Sequence, residues 1–246
     1  MNKPGLDIDK LAEIWVYLSA SPLFGLTLTL VAYIAADAVY QKSGKHPLAN
    51  PVLISVSVIV AVLALSGTPY KTYFEGAQFV HFLLGTATVA LAVPLARLWG
   101  ELRERALPLL LAVVLGGATS VVLAVGIAKL FGASEVFVAT LATKSVTAPI
   151  AMGIAEQLGG SPTLAAVFTM CTGIVGAMVA TPLLNAIGLK DWAARGFAAG
   201  VAAHGMGTAR AWSLHPRAGA YASLAMGLHG ILGALLLPLL ARFLTP

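Results

Sequence analysis

The sequence predicts an all-α polytopic integral membrane protein, with about six full transmembrane helices and two broken, re-entrant helical segments forming an inverted repeat. Three observations predict it. Of the 246 residues, 59% are hydrophobic and only 10% are charged, against about 25% charged in soluble domains. Apolar runs recur at the ~20-residue length that crosses ~30 Å of hydrocarbon. Two runs in the second half are interrupted by basic, hydroxyl-bearing and helix-breaking residues. The net charge of +5 does not point to nucleic acid here, because basic residues in such chains mark cytoplasmic loops.

Residues 8–19 read as an amphipathic lead-in, with Trp15 and Tyr17 suited to the interface. The acidic and basic residues among the first twenty leave no clean signal-peptide core. Plain spans follow over 22–40, 51–66, 76–98 and 106–131, separated by the basic loop QKSGKHPLAN, the turn signal SGTPY and the charged LWGELRERA. The chain divides accordingly into a scaffold-like 1–131 and a core at 132–246. Within the core, 161–188 and 219–243 read as full spans. Residues 134–158 carry Lys144, Pro149 and Glu156, and 192–213 carry His204, Arg210 and several glycines. Neither reads as a simple lipid-facing helix.

The two interrupted segments resemble each other. FVATLATKSVTAPIA (137–151) aligns with FAAGVAAHGMGTARA (197–211), allowing one gap. Each precedes a related pair, GIVGA with TPLL and then GILGA with LPLL. A broken segment plus a full helix, repeated, is a pointer to a transporter binding site. If both segments are re-entrant and the N-terminus is outside, the cytoplasm receives Lys42, Lys45, Arg97, Arg103, Arg105, Lys190, Arg195 and Arg217. The outside receives Lys3, Lys10, Lys71, Lys129 and Arg242. If both cross instead, Lys190 and Arg195 change sides and the outside becomes the richer. The positive-inside rule favours hairpins entering from opposite faces.

Irregular backbone at membrane depth requires surrounding protein or a water-filled cavity. Pro149 disfavours helix at Ala148, and Gly205 and Gly207 permit torsions that other residues resist. Each tip starts a half-helix whose free amides attract an anion. Thr143, Lys144, Ser145 and Thr147 line the first tip, and His204, Thr208 and Arg210 the second. Arginine grips a carboxylate bidentately and lysine adds a compact charge, so the expected ligand is a small carboxylate anion. The alternatives stay open. Lys144 can snorkel to an interface, and Arg210 can anchor a helix end. His81 and His229 read first as interhelical hydrogen-bond partners and second as ligands. Glu156 can pair with Lys144, carry a proton or sit among headgroups. The small-residue pairs Gly173 with Gly176 and Gly230 with Gly233 require no more than close helix packing. No nucleophile–base pair, phosphate loop or metal-spaced set occurs, and Cys171 stands alone, so neither an enzyme nor a cofactor or metal site is expected.

YFEGAQFVHFLLG with ATVALAVPL, then ATKSVTAPIAMGIAEQLGG, then RGFAAGVAAHGMGTARA resemble the LrgB/CidB family in order and over nearly the whole chain. The family pattern carries over to Lys144, Ser145, Thr147, Pro149, His204, Gly205, Gly207, Thr208 and Arg210. It departs at Thr86, where LLGTAT stands for an expected LLGPAT, and a kink there is in doubt. The resemblance implies a bacterial inner-membrane protein with two expected functions. One is transport of glycolate-, glycerate- or pyruvate-like monocarboxylates, as in the LrgB-like half of the plant plastid glycolate/glycerate transporter. The other is antiholin-like or holin-like modulation of murein hydrolase activity and autolysis beside a small LrgA/CidA-type membrane partner. Homo-oligomerisation is expected with either.

Overall fold

The structure, a computed structural model, describes residues 22–244, so the lead-in expected at 8–19 lies outside the described residues. Every regular element described is a helix. The helices group into two compact units, one ending at Ala90 and one beginning at Leu91.

In the first unit, α1 (Pro22–Lys42) packs on both α2 (Pro51–Ser66) and α3 (Tyr70–Ala90). Asn50 caps α2 by accepting from the amides of Val52 and Leu53, Pro51 occupies its first turn, and Gly67 closes it in the left-handed conformation. Ala32, Ile59, Tyr73 and Ala77 form the core. A Cβ on Gly25 would collide with the carbonyl of Tyr73, so glycine sets how closely α1 approaches α3.

The third span differs from the expected 76–98. α3 runs unbroken through Thr86, whose hydroxyl donates to the Leu83 carbonyl at 2.8 Å, and stops at Ala90. Pro94 gives the reason: proline lacks an amide and clashes with the carbonyl four residues back, which belongs to Ala90. Two six-residue helices follow, α4 (Ala92–Arg97) and α5 (Trp99–Glu104). Four of the described helices are long and apolar enough to cross a membrane: Leu23–Lys42, Ala106–Leu130, Pro162–Ala186 and Pro216–Leu239. This is fewer than the six full spans expected. α2 has only 16 residues, and the first turns of α3 carry Lys71, Glu75 and Gln78.

The second unit is built from three long helices, α6 (Ala106–Leu130), α9 (Pro162–Ala186) and α11 (Pro216–Leu244). Between them lie α7 (Glu135–Leu141), α8 (Ala148–Gln157) and α10 (Trp192–Leu214). α7 and α8 rise only about 10 and 15 Å. The chain reverses at Thr147: Thr140 and Ala155, on either side, meet at Gly160, whose Cβ would lie 2.8 Å from Thr140 Oγ1 and 3.1 Å from the Ala155 carbonyl.

α10 also doubles back. Ala203 and His204 have non-helical torsions (φ −132° and +39°). Gly196 abuts Ala218 and, one turn further along both helices, Gly200 abuts Ala222, so residues 192–202 run parallel to α11. After the break, Thr208 reaches the Ala222 carbonyl while Trp212 packs on Gly219, so 205–214 runs antiparallel to it. The Trp192 and His215 rings, at the two ends of the segment, stack with centroids 5.0 Å apart. A straight helix of 23 residues would separate them by about 34 Å.

Candidate functional site: two hairpin tips and a groove ending at Lys144

The hairpins enter from opposite ends of α9. Ser161, its N-cap, donates its amide to Thr140 Oγ1 at 2.8 Å in the first hairpin, whereas the second hairpin begins just beyond its C-terminus. Both tips reach the middle of the long helices, and each lands on a glycine pair of the other repeat. In the first tip, Val146 and Ile150 pack on Gly233 and Gly230 of α11, where added Cβ atoms would lie 2.6 and 3.1 Å away. In the second, His204 and Ala203 pack on Gly173 and Gly176 of α9, at 2.7 and 2.5 Å. The glycine pairs that could have been ordinary helix contacts are the seats of the tips.

Lys144 projects from the first tip, and its Nζ donates to Ser120 Oγ of α6 at 3.1 Å. No carboxylate pairs with it among the described residues. It closes the inner end of a groove of about 570 Å³. One wall is a stripe of α6 running from Arg105 through Pro108, Ala112 and Gly116 to Ser120; the other is a stripe of α10 from Asp191 to Ala202. Along α6 the groove is about 22 Å deep. Alanine and glycine at the facing positions leave the space, and Arg105 and Asp191 stand exposed at its mouth. The mouth is braced by Glu101, which accepts hydrogen bonds from Arg217 and from Tyr221 Oη (2.8 Å) and lies 3.6 Å from Arg105. Arg195 donates to the Leu189 carbonyl at 2.6 Å and lies over the Trp192 ring.

Ser145, adjacent in the chain, faces elsewhere. Its buried Oγ meets His229 Nε2 at 3.2 Å. Both line a second, almost wholly apolar cavity of about 360 Å³ between α6 and α11. Thr143 is fully buried and donates to the Thr140 carbonyl at 2.8 Å. Thr147 holds the N-cap position of α8 without a side-chain cap bond, and Pro149 lies exposed in its first turn.

At the second tip the break falls on Ala203 and His204, not on the glycines expected to permit it. His204 adopts positive φ, which a non-glycine residue resists. Its ring compensates: Nε2–H donates to the Thr169 carbonyl at 2.9 Å, and the imidazole lies against Gly173. Gly207 serves close approach instead, since a Cβ there would strike the Ala199 carbonyl, while Gly205 faces open space apart from Met226 at 3.9 Å. Thr208 donates to the His204 carbonyl at 2.8 Å. Arg210 is half-buried on the returning helical arm of the hairpin and lines neither cavity. Glu156 is exposed near the end of α8, and His81 lies on α3 with its side chain outside the described residues. Ser120 was not singled out from the sequence, where the adjacent hydroxyls of Thr119 and Ser120 within the apolar GGATSVVLA were the available signal.

Fold and site together define an all-helical integral membrane protein whose second unit packs two antiparallel hairpins, tip-inward, between long apolar helices. The sequence model of the LrgB-like family matches residues 29–243, and the chain belongs to that family. It is 32% identical over 215 residues to a holin-like protein CidB of Staphylococcus epidermidis, covering 87% of this chain and 93% of the relative. It is 30% identical over 218 residues to a holin-like protein CidB of Staphylococcus aureus, covering 89% and 95%. An uncharacterized protein YwbG of Bacillus subtilis is 32% identical over 222 residues, covering 90% and 98%. No solved structure matches.

Proposed function

We propose that the chain carries a small anion, of the monocarboxylate class, through the bacterial inner membrane by way of the groove that ends at Lys144. The observation that carries this reading is the Lys144 ammonium at mid-depth with a neutral hydroxyl as partner. A cation at the centre of a spanning segment costs at least ~2.5 kcal/mol, and a bound anion supplies the missing counter-charge. α7–α8 and α10 are then re-entrant hairpins, each too short in either arm to cross. Arg103, Arg105, Lys190, Arg195 and Arg217 gather by chain position and contact at one end of the second unit, against Lys129 at the other. By the positive-inside rule that end is cytoplasmic, so the groove opens inward and the N-terminus lies outside. Arg210, off the groove, is kept as a second contributor reached when the tips rearrange.

The relatives' names favour a second reading more directly. Holin-like proteins are named for control of lysis, and on this reading the chain modulates murein hydrolase activity beside a small LrgA/CidA-type membrane protein, as a homo-oligomer or with that partner. Proteoliposomes holding the purified chain, loaded with a self-quenched dye and given labelled pyruvate, glycolate and glycerate, separate the two. A carrier takes up acid saturably and keeps the dye. A lesion-forming protein releases the dye, and that result would replace the transport reading with the holin-like one.

A further inference from the structure

The two cavities of the second unit lie beside each other on neighbouring faces of α6. The groove follows α6 from Arg105 to Ser120. The second cavity follows the same helix from Val113 to Val122, and α11 from His229 to Leu237. They share the depth of α6 from Val113 to Ser120, the first on the face of Ala112, Gly116 and Ser120 and the second on that of Val113, Gly117 and Val121, while along α11 the first touches Tyr221 and the second His229 to Leu237. The first tip stands between them. Lys144 faces one cavity, and Ser145, the next residue, faces the other with His229.

The first tip meets His229 of α11 on the side of the second cavity. His229 Nε2 and Ser145 Oγ share one hydrogen bond of 3.2 Å. The Nδ1–Cε1 edge of the His229 imidazole abuts Gly117, where an added Cβ would fall 2.7 Å from Cε1 and 2.9 Å from Nδ1. The contact of the tip at this point therefore consists of one ring and one neutral hydrogen bond, seated where Gly117 leaves α6 without a side chain. Behind the tip, the second cavity is apolar on nearly every side, with Val121, Leu232, Leu236 and Leu237 around it. Protein interiors are normally close-packed, and space beside a hairpin tip gives that tip somewhere to move. A single neutral bond contributes little net stability and breaks readily.

We infer that the Ser145–His229 pair, seated on Gly117, is the closed partition between two half-paths, and that displacement of the first tip from His229 joins the inner groove to the second cavity. This rests on the anion-carrier reading for its purpose, but its geometry is testable without any substrate.

The test uses the full-length chain with Cys171→Ala, carrying one reporter cysteine at a time: Ala202→Cys in the groove, or Ala118→Cys in the second cavity. A small, charged, water-soluble thiol reagent is applied to membranes from the side on which the groove opens. The expected result is fast modification at position 202 and at least tenfold slower modification at position 118. His229→Ala is expected to raise the rate at 118 by tenfold or more while leaving the rate at 202 within a factor of two, which also reports an intact groove. Ser145→Ala removes the same bond with a smaller volume change and is expected to act in the same direction, so the outcome does not depend on one variant folding. Rapid modification at 118 with the pair intact, or an unchanged rate in both variants, overturns the partition. A chain that shows this pattern yet transports no carboxylate retains the partition and loses the carrier reading.

Discussion

Trp192 and His215 stand at opposite ends of one helical segment and yet stack within 5.0 Å, 6° from parallel. That contact turns a run of residues long enough to cross a bilayer into a hairpin that begins and ends at the same place. It also places Lys190, Arg195 and Arg217 at one end of the unit.

Sidedness follows directly. With Cys171→Ala as background, Lys190→Cys and Pro216→Cys are expected to react with an impermeant thiol reagent from the same face of sealed vesicles. Reaction from opposite faces would mean that the segment crosses.

Close approach of α10 to α11 depends on glycine. Gly196 and Gly200 each leave no room for a Cβ against the backbone of Ala218 and Ala222, and backbone cannot step aside as a flexible side chain can. Gly196→Ala and Gly200→Ala are expected to destabilise the protein by about 1–3 kcal/mol each. Gly126→Ala, in open space on α6, is expected to be neutral or to stabilise by up to about 1 kcal/mol. Thermal midpoints in detergent, falling for the first two and holding or rising for the third, check this ranking.

His204 carries strain and compensation together. His204→Ala loses the bond to the Thr169 carbonyl and keeps a methyl group at positive φ, whereas His204→Gly loses the bond but relieves the torsion. The glycine variant is expected to be the more stable by about 1–2 kcal/mol. Equal melting temperatures, or a more stable alanine variant, would show that the break at 203–204 is not held as described.

Ser120 orients Lys144 without supplying charge. Ser120→Ala is expected to weaken apparent carboxylate affinity by about 2–10-fold, the value of one ordinary hydrogen bond, with little change in maximal rate. Substrate-concentration curves for uptake measure both quantities. A complete loss of uptake would give Ser120 a larger role than orientation.

Much of this architecture was legible in the sequence, for reasons specific to particular residues. Pro149 and the glycine-rich run after His204 marked the two interrupted segments because helix breakers inside apolar runs have few other uses. The GIVGA and GILGA repeats marked the helices that receive the tips. Other features were not legible. Pro94 was present in the sequence, but its effect on Ala90 was lost within a run apolar enough to read as one span. The turn at the second tip was assigned to glycine because glycine tolerates positive φ, whereas the chain places His204 there and stabilises it through Thr169, a partner fixed only by tertiary packing. The same holds for Ser120 with Lys144 and for Ser145 with His229. Each pair joins residues far apart in the chain, and composition or period carries no trace of such a choice. Arg210 was read as lining the second tip, yet it lies off the groove that Lys144 closes.

The central claim is that Lys144, at the end of an inward groove, receives a small anion. Uptake of labelled pyruvate, glycolate and glycerate into proteoliposomes by the unaltered chain, beside Lys144→Ala and Lys144→Arg, tests it most directly. The account predicts saturable uptake by the unaltered chain, loss in Lys144→Ala and partial retention in Lys144→Arg, where the charge persists without the compact ammonium. Uptake in Lys144→Ala equal to that of the unaltered chain would contradict it.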